Sequence, residues 1–137
     1  MAKKIEAYAD TSAFIAFVDQ SDSFNPLFRR LFSQPPSLLT TSLVVAEGHA
    51  WFLKRYDRAR AMSFLAMLDA MPFLKILSVG AADIEAASTI MRKFGDQDLT
   101  LADAVGLATM RERRSRLCWS TDFHLGLLGV PLVIHNA

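Results

Sequence analysis

Apolar and polar positions fall into blocks along this chain, and the blocks change period. Residues 5–9 form a short apolar run that stops at Asp10, the pattern of a buried strand. Residues 12–18 are again apolar and read as a helix, capped by Thr11 or Ser12. Asp19 to Asp22 is a polar turn. Phe24, Leu27, Phe28, Leu31 and Phe32 recur at helical spacing, so residues 24–33 read as a second helix. Arg29 and Arg30 fall on its other side, and Pro35-Pro36 ends it. Residues 38–40 read as a strand, and Thr41 or Ser42 caps a helix over 43–54. Another helix covers 58–70 and stops near Pro72. Residues 74–79 read as a strand and 81–94 as a helix, with Gly95 as its C-terminal stop. Asp96-Gln97-Asp98 is a loop, and Thr100 caps a helix from 101 to about 114. Residues 117–120 read as a strand, a short helix or turn follows Asp122, and 131–134 form a last strand.

Strands thus alternate with helices from end to end, which predicts a parallel sheet covered on both faces. The expected class is α/β: three layers, α/β/α, around a central, mainly parallel sheet of about five strands. The 137 residues suit one domain spanning 1–137 with one core. No repeat, low-complexity tract or linker interrupts the pattern.

Composition narrows the function. The chain is 52% hydrophobic and 21% charged, as expected of a rather apolar globular protein. Ten Phe and six Met are many for this length, so part of the apolar surface could be covered by a partner. A net charge of +1 leaves no global basic footprint for nucleic acid, so such contact would need local Arg clusters. Cys118 is the only cysteine, which excludes an internal disulfide and a thiolate metal cluster and fits a reducing cytoplasm. Lys3-Lys4 precedes apolar residues, but Asp10 breaks any signal-peptide core. No apolar run approaches the ~18 residues of a membrane span. The expectation is a cytoplasmic protein with no membrane contact.

The candidate chemistry lies in the acids. In a parallel sheet with right-handed crossovers the strand C-termini share one edge. Asp10 follows the first strand and Asp122 the strand at 117–120. Glu47 lies two turns into the helix after the second strand, and Asp103 lies in the first turn of its helix. All four could meet on that edge. Each also has a plainer role: Asp10 as an N-cap, Asp103 in a capping box with Thr100, Asp122 as the cap of the segment after it. Glu47 is the exception. Leu43, Val44, Ala50 and Trp51 surround it at helical spacing, so it sits on an apolar face with no Lys or Arg beside it. A carboxylate there needs a cation, a donor or a proton.

Carboxylates gathered in one place must protonate or bind a cation, and hard oxygen ligands suit Mg²⁺ or Mn²⁺. Zinc does not fit, because His49, His124 and His135 are scattered. No Gly-rich dinucleotide loop, phosphate-binding Gly-Lys-Ser/Thr loop or Gly-x-Ser-x-Gly elbow is present.

Four stretches together carry a resemblance. Ala9-Asp10-Thr11-Ser12-Ala13, residues 41–47 ending in Glu47, residues 98–104 containing Asp103, and residues 120–125 containing Asp122 resemble the motif blocks of the PIN-domain family, and within it the VapC-type toxins. They occur in the family order along nearly the whole chain. The resemblance implies a PIN-like, Rossmann-like fold and a Mg²⁺- or Mn²⁺-dependent endoribonuclease, the toxin of a toxin–antitoxin pair. It assigns metal binding and water activation to Asp10, Glu47, Asp103 and Asp122. It gives supporting roles to Thr11, Ser12, Asp98 and Thr121, and leaves the role of His124 open. It also implies an RNA substrate, a homodimer, and an antitoxin whose tail crosses the active-site groove, with some of Phe14, Phe17, Leu27, Phe28, Leu31 and Phe32 available to line it.

Two other classes stay open on the residues. One is a phosphoryl-transfer enzyme with Asp10 as nucleophile, although Ser12 stands where the usual second acid would be. The other is a non-enzymatic protein- or RNA-binding module. Arg111, Arg113, Arg114 and Arg116 end the Asp103 helix; they read first as cations at the favourable helix pole and second as an RNA phosphate contact.

Overall fold

The computed structural model describes residues 6–135. Ile5, expected to open the first strand, lies outside the described residues, as do Lys3 and Lys4. Four strands form one parallel sheet: β1 (Glu6–Ala9), β2 (Ser37–Thr41), β3 (Leu74–Leu77) and β4 (Cys118–Trp119), in the order β3-β2-β1-β4. Tyr8 registers with Leu39 on one side and Cys118 on the other. β1 is therefore central, and its residues 7–9 are fully buried, as a strand covered on both faces must be. β3 is an edge and carries the exposed Lys75 and Ile76; a charge there discourages pairing with another sheet.

Six α-helices connect the strands: α1 (Thr11–Val18), α2 (Asn25–Ser33), α3 (Ser42–Arg55), α4 (Arg58–Asp69), α5 (Ala81–Lys93) and α6 (Leu101–Arg113). The sheet's alternation sorts them into two layers. Ala7, Ala9, Leu38 and Trp119 face a core built from α1–α4, while Tyr8, Leu39 and Cys118 face α5 and α6. Small Ala7 and Ala9 leave room for the aromatic cluster on the first face. There Phe32 packs edge-on to Trp119 at 5.0 Å between ring centroids, and Phe17 stacks on Phe32 at 4.4 Å. Phe14, Phe28 and Phe32 are buried, and Phe17, Leu27 and Leu31 are half-buried. The phenylalanines of α1 and α2 thus serve chiefly the core.

The differences from expectation are local. The last strand, expected over 131–134, is reduced to a single parallel bridge between Leu132 and Cys118, followed by a 3-10 turn at Val133–His135. Among the described residues the sheet therefore has four strands instead of about five. Asp10, not Thr11 or Ser12, holds the N-cap position of α1, and its carboxylate makes no capping hydrogen bond. Among the described residues no helix is long and apolar enough to cross a membrane.

Candidate active site

The strand order reverses between β1 and β4, because β1 pairs with β2 on one side and β4 on the other. In open parallel sheets a crevice forms at the strand C-termini at such a point. Here it is a cleft of about 300 Å³ lined by Asp10, Thr11, Ser12, Ile15, Glu47, Trp51, Thr100, Asp103 and Asp122. All four predicted acids reach it from four different parts of the chain.

Asp10 leaves the end of β1, its backbone N–H bonded to Trp119 O at 3.0 Å. The residue is only 3% exposed. Its Oδ2 accepts from Ser12 Oγ at 3.0 Å and from Ser120 Oγ at 3.2 Å. Those hydroxyls in turn accept backbone N–H groups, Ser12 from Thr121 at 3.0 Å and Ser120 from Asp122 at 2.9 Å. The two serines thus tie the loop after β4 to the carboxylate after β1. Oδ1 of Asp10 is buried without a hydrogen-bond partner. Burial, and then the charge of Asp103, push the Asp10 carboxyl up to about 6, against the opposing bond from Ser12.

The other acids are held by single, different devices. Thr11 donates its hydroxyl to Glu47 Oε1, joining the first turn of α1 to the second of α3. Asp103 makes the capping box: Thr100 N–H donates to Asp103 Oδ2 at 3.2 Å, and Asp103 N–H donates to Thr100 Oγ1 at 3.1 Å. Burial raises the Asp103 carboxyl; the Thr100 bonds oppose this and the charge of Asp122 adds to it. Asp122 caps the 3-10 turn Phe123–Gly126 by accepting His124 N–H at 3.0 Å. The capping roles and the cleft positions therefore coexist in Asp103 and Asp122.

The remaining predicted residues divide. Thr11 and Ser12 line the cleft, and Thr121 contributes its backbone N–H to Ser12. Asp98 is exposed and does not line the cleft. Arg111, Arg113, Arg114 and Arg116 are exposed at the far end of α6. At 1.5 Å per residue Arg113 stands ~15 Å along the axis from Asp103. Ser120 is not among the acids and hydroxyls that the sequence marks, yet it is fully buried and bonded to Asp10. Its signal was positional: a hydroxyl directly after β4, as Asp10 comes directly after β1.

The donor set suits a hard divalent cation. Among the described residues the cleft lining contains four carboxylates and no Lys or Arg, and the buried oxygen of Asp10 lacks a partner. Such charge, left uncompensated, is costly.

A family model described as PIN domain matches residues 7–126. No curated protein matches the chain in sequence. Among solved structures, VapC20 of Mycobacterium tuberculosis, described as a sarcin–ricin loop cleaving toxin, is similar with a TM-score of 0.82 at 21% identity, over 90% of this chain and 95% of that one. A toxin–antitoxin complex from Klebsiella pneumoniae is similar with a TM-score of 0.60 at 18% identity, over 92% of this chain and 94% of that one. At these identities the likeness is one of fold. The match of the family model over most of the chain, on a parallel sheet whose switch point gathers the acids, makes this chain a member of the PIN-domain family.

Proposed function

We propose that this chain, acting as one domain over residues 1–137, is a Mg²⁺- or Mn²⁺-dependent endoribonuclease and the toxin of a toxin–antitoxin pair. The observation that carries the reading is the convergence of Asp10, Glu47, Asp103 and Asp122 on one cleft, with a partnerless buried oxygen on Asp10. The fold likeness to a described sarcin–ricin loop cleaving toxin and to a toxin–antitoxin complex supports it.

Asp10, Glu47, Asp103 and Asp122 would hold the metal. When bound, a divalent ion supplies a Lewis-acid charge that makes water a better nucleophile and neutralises a phosphodiester. The chain's own residues do the positioning. Ser12 and Ser120 fix the Asp10 carboxylate, Thr11 fixes Glu47, and Thr100 fixes Asp103. Such supporting bonds orient ligands and set their basicity. Trp51 and Ile15 form the apolar part of the wall, where a base or ribose can pack while the phosphate faces the acids. In this reading an antitoxin covers the cleft, and the chain works as a homodimer. A phosphoryl nucleophile role for Asp10 gains nothing from the cleft, whose lining among the described residues offers no Lys or Arg to grip a phosphoryl group.

The test is to induce the wild type and Asp10→Asn in cells and map new RNA 5′ ends across the transcriptome. Sharp new ends with the wild type alone establish the ribonuclease and name its substrate. Purified protein that cuts RNA equally well in EDTA, or an Asp10→Asn variant that still cuts, overturns the reading.

A further inference from the structure

The resemblance leaves His124 without a role. We propose that His124, which does not itself line the cleft but lies beside Asp122, which does, is a metal ligand, closing on one divalent ion together with Asp103 and Asp122 and biasing the site toward Mn²⁺ over Mg²⁺. The proposal rests on the metal-nuclease reading above and adds a nitrogen donor to a site otherwise built of oxygen.

Three observations carry it. One donor atom from each of Asp103, Asp122 and His124 lies within 4.8 Å of the others. Donors on bonds of about 2.1 Å stand about 3.0 Å apart when adjacent on an octahedron and at most about 4.2 Å apart across it. Small side-chain rotations therefore close this set on a single ion. Second, His124 Nδ1 lies 3.0 Å from Asp122 Oδ1, the spacing of adjacent ligands. Third, Asp10 lines the same cleft as Asp103 and Asp122, and its Oδ1 is buried without a hydrogen-bond partner, a carboxylate oxygen that is costly to leave uncompensated.

The imidazole is also held in place. Its side chain is 18% exposed and lies against the Phe123 ring at 4.2 Å between centroids. The 3-10 turn beneath it is anchored by Leu125, which is fully buried. A simple pairing of His124 with Asp122 accounts for the 3.0 Å contact. It does not account for the convergence with Asp103, which arrives on a different element, α6.

Metal preference follows from donor chemistry. An imidazole nitrogen is softer than a carboxylate oxygen. Mg²⁺ prefers oxygen and gives up water reluctantly, so it gains least from such a donor. Mn²⁺ accepts mixed nitrogen and oxygen sets more readily.

The experiment is pulsed EPR on the full chain loaded with Mn²⁺, paired with calorimetric titration of Mn²⁺ and Mg²⁺. The wild type and His49→Ala should show ¹⁴N coupling to the bound Mn²⁺; His124→Ala should lose it. His49 is the control because it sits two residues from Glu47 but, among the described residues, belongs to no such close set of donor atoms. His124→Ala should also lose about tenfold or more in Mn²⁺ affinity, and less than about threefold in Mg²⁺ affinity. His124→Gln serves as the companion variant should the alanine disturb the turn. Bound Mn²⁺ without nitrogen coupling in the wild type, or coupling that survives His124→Ala, overturns this proposal and leaves the nuclease reading standing. Failure of the wild type to bind Mn²⁺ at all overturns both.

Discussion

Asp10 is the residue on which the cleft's energetics turn. Its carboxyl titrates near 6 in the folded chain, above the ordinary 3.8, chiefly because it is buried and next because Asp103 is near. A raised acid favours the folded state only while protonated. Below about pH 4 it is protonated whether the chain is folded or unfolded, so it costs nothing. Between about 4 and 6 the folded chain binds more protons, so stability falls as pH rises. Above 6 the metal-free protein carries the whole penalty, on the order of 3 kcal/mol. Asp10→Asn should remove it. Urea melts of the metal-free proteins should agree at pH 4 and separate by up to ~3 kcal/mol at pH 7.5, with the variant the more stable. A gap that ignores pH would refute the assignment. The same proton competes with metal, so Mn²⁺ affinity should weaken as pH drops below about 6, readable by titration at pH 5 and 7.5.

At the scale of elements, the acids are only as well placed as the helices that carry them. Asn25, at the start of α2, donates to Ala16 O at 2.8 Å and Phe17 O at 3.0 Å, satisfying carbonyls near the end of α1. α3 carries Glu47 and must lie close to α4. Gly48 makes that approach possible, since a Cβ there would overlap the Phe64 ring. Gly48→Ala should therefore destabilise the fold by about 1–2 kcal/mol, overpacking outweighing the ~1 kcal/mol that alanine returns in helix propensity. A thermal melt reads it. Because residue 48 adjoins Glu47, Mn²⁺ affinity should fall with it. A variant as stable as the wild type would show that Phe64 moves aside freely.

For the whole molecule, the consequence of several acids in one cleft is that folding and metal binding are linked. A ligand that binds only the folded chain stabilises it by RT ln(1 + [L]/Kd), about 2.7 kcal/mol at a hundredfold excess over Kd. Mn²⁺ at that level should raise the melting temperature of the wild type by several degrees, and EDTA should reverse it. Asp10→Asn should show little of this shift, having lost the buried charge that calls for the ion. An equal shift in both proteins would place the metal elsewhere.

The sequence by itself determined the element order, because hydrophobic period and stop residues are local properties. The helix-ending Pro35-Pro36, the Thr100 cap and the alternation that implies a parallel sheet all hold in the structure. It also marked Asp10, Glu47, Asp103 and Asp122, since acids after strands or on an apolar helix face stand out against their neighbours. The last strand was illegible, because an apolar stretch after Pro131 fits a strand, a bridge or a turn equally well, and only its place beside Cys118 decided. Convergence was likewise beyond the sequence. Strand order puts β4 next to β1, and that alone brings Ser120 to Asp10 across the switch point. It placed Asp98 outside the cleft and the Arg run at the far end of α6, while gathering His124 with Asp103 and Asp122. Residue types and spacing announce what chemistry a chain can do. Which of those residues share a charge is a distance, and distances between remote segments are set only when the sheet is assembled.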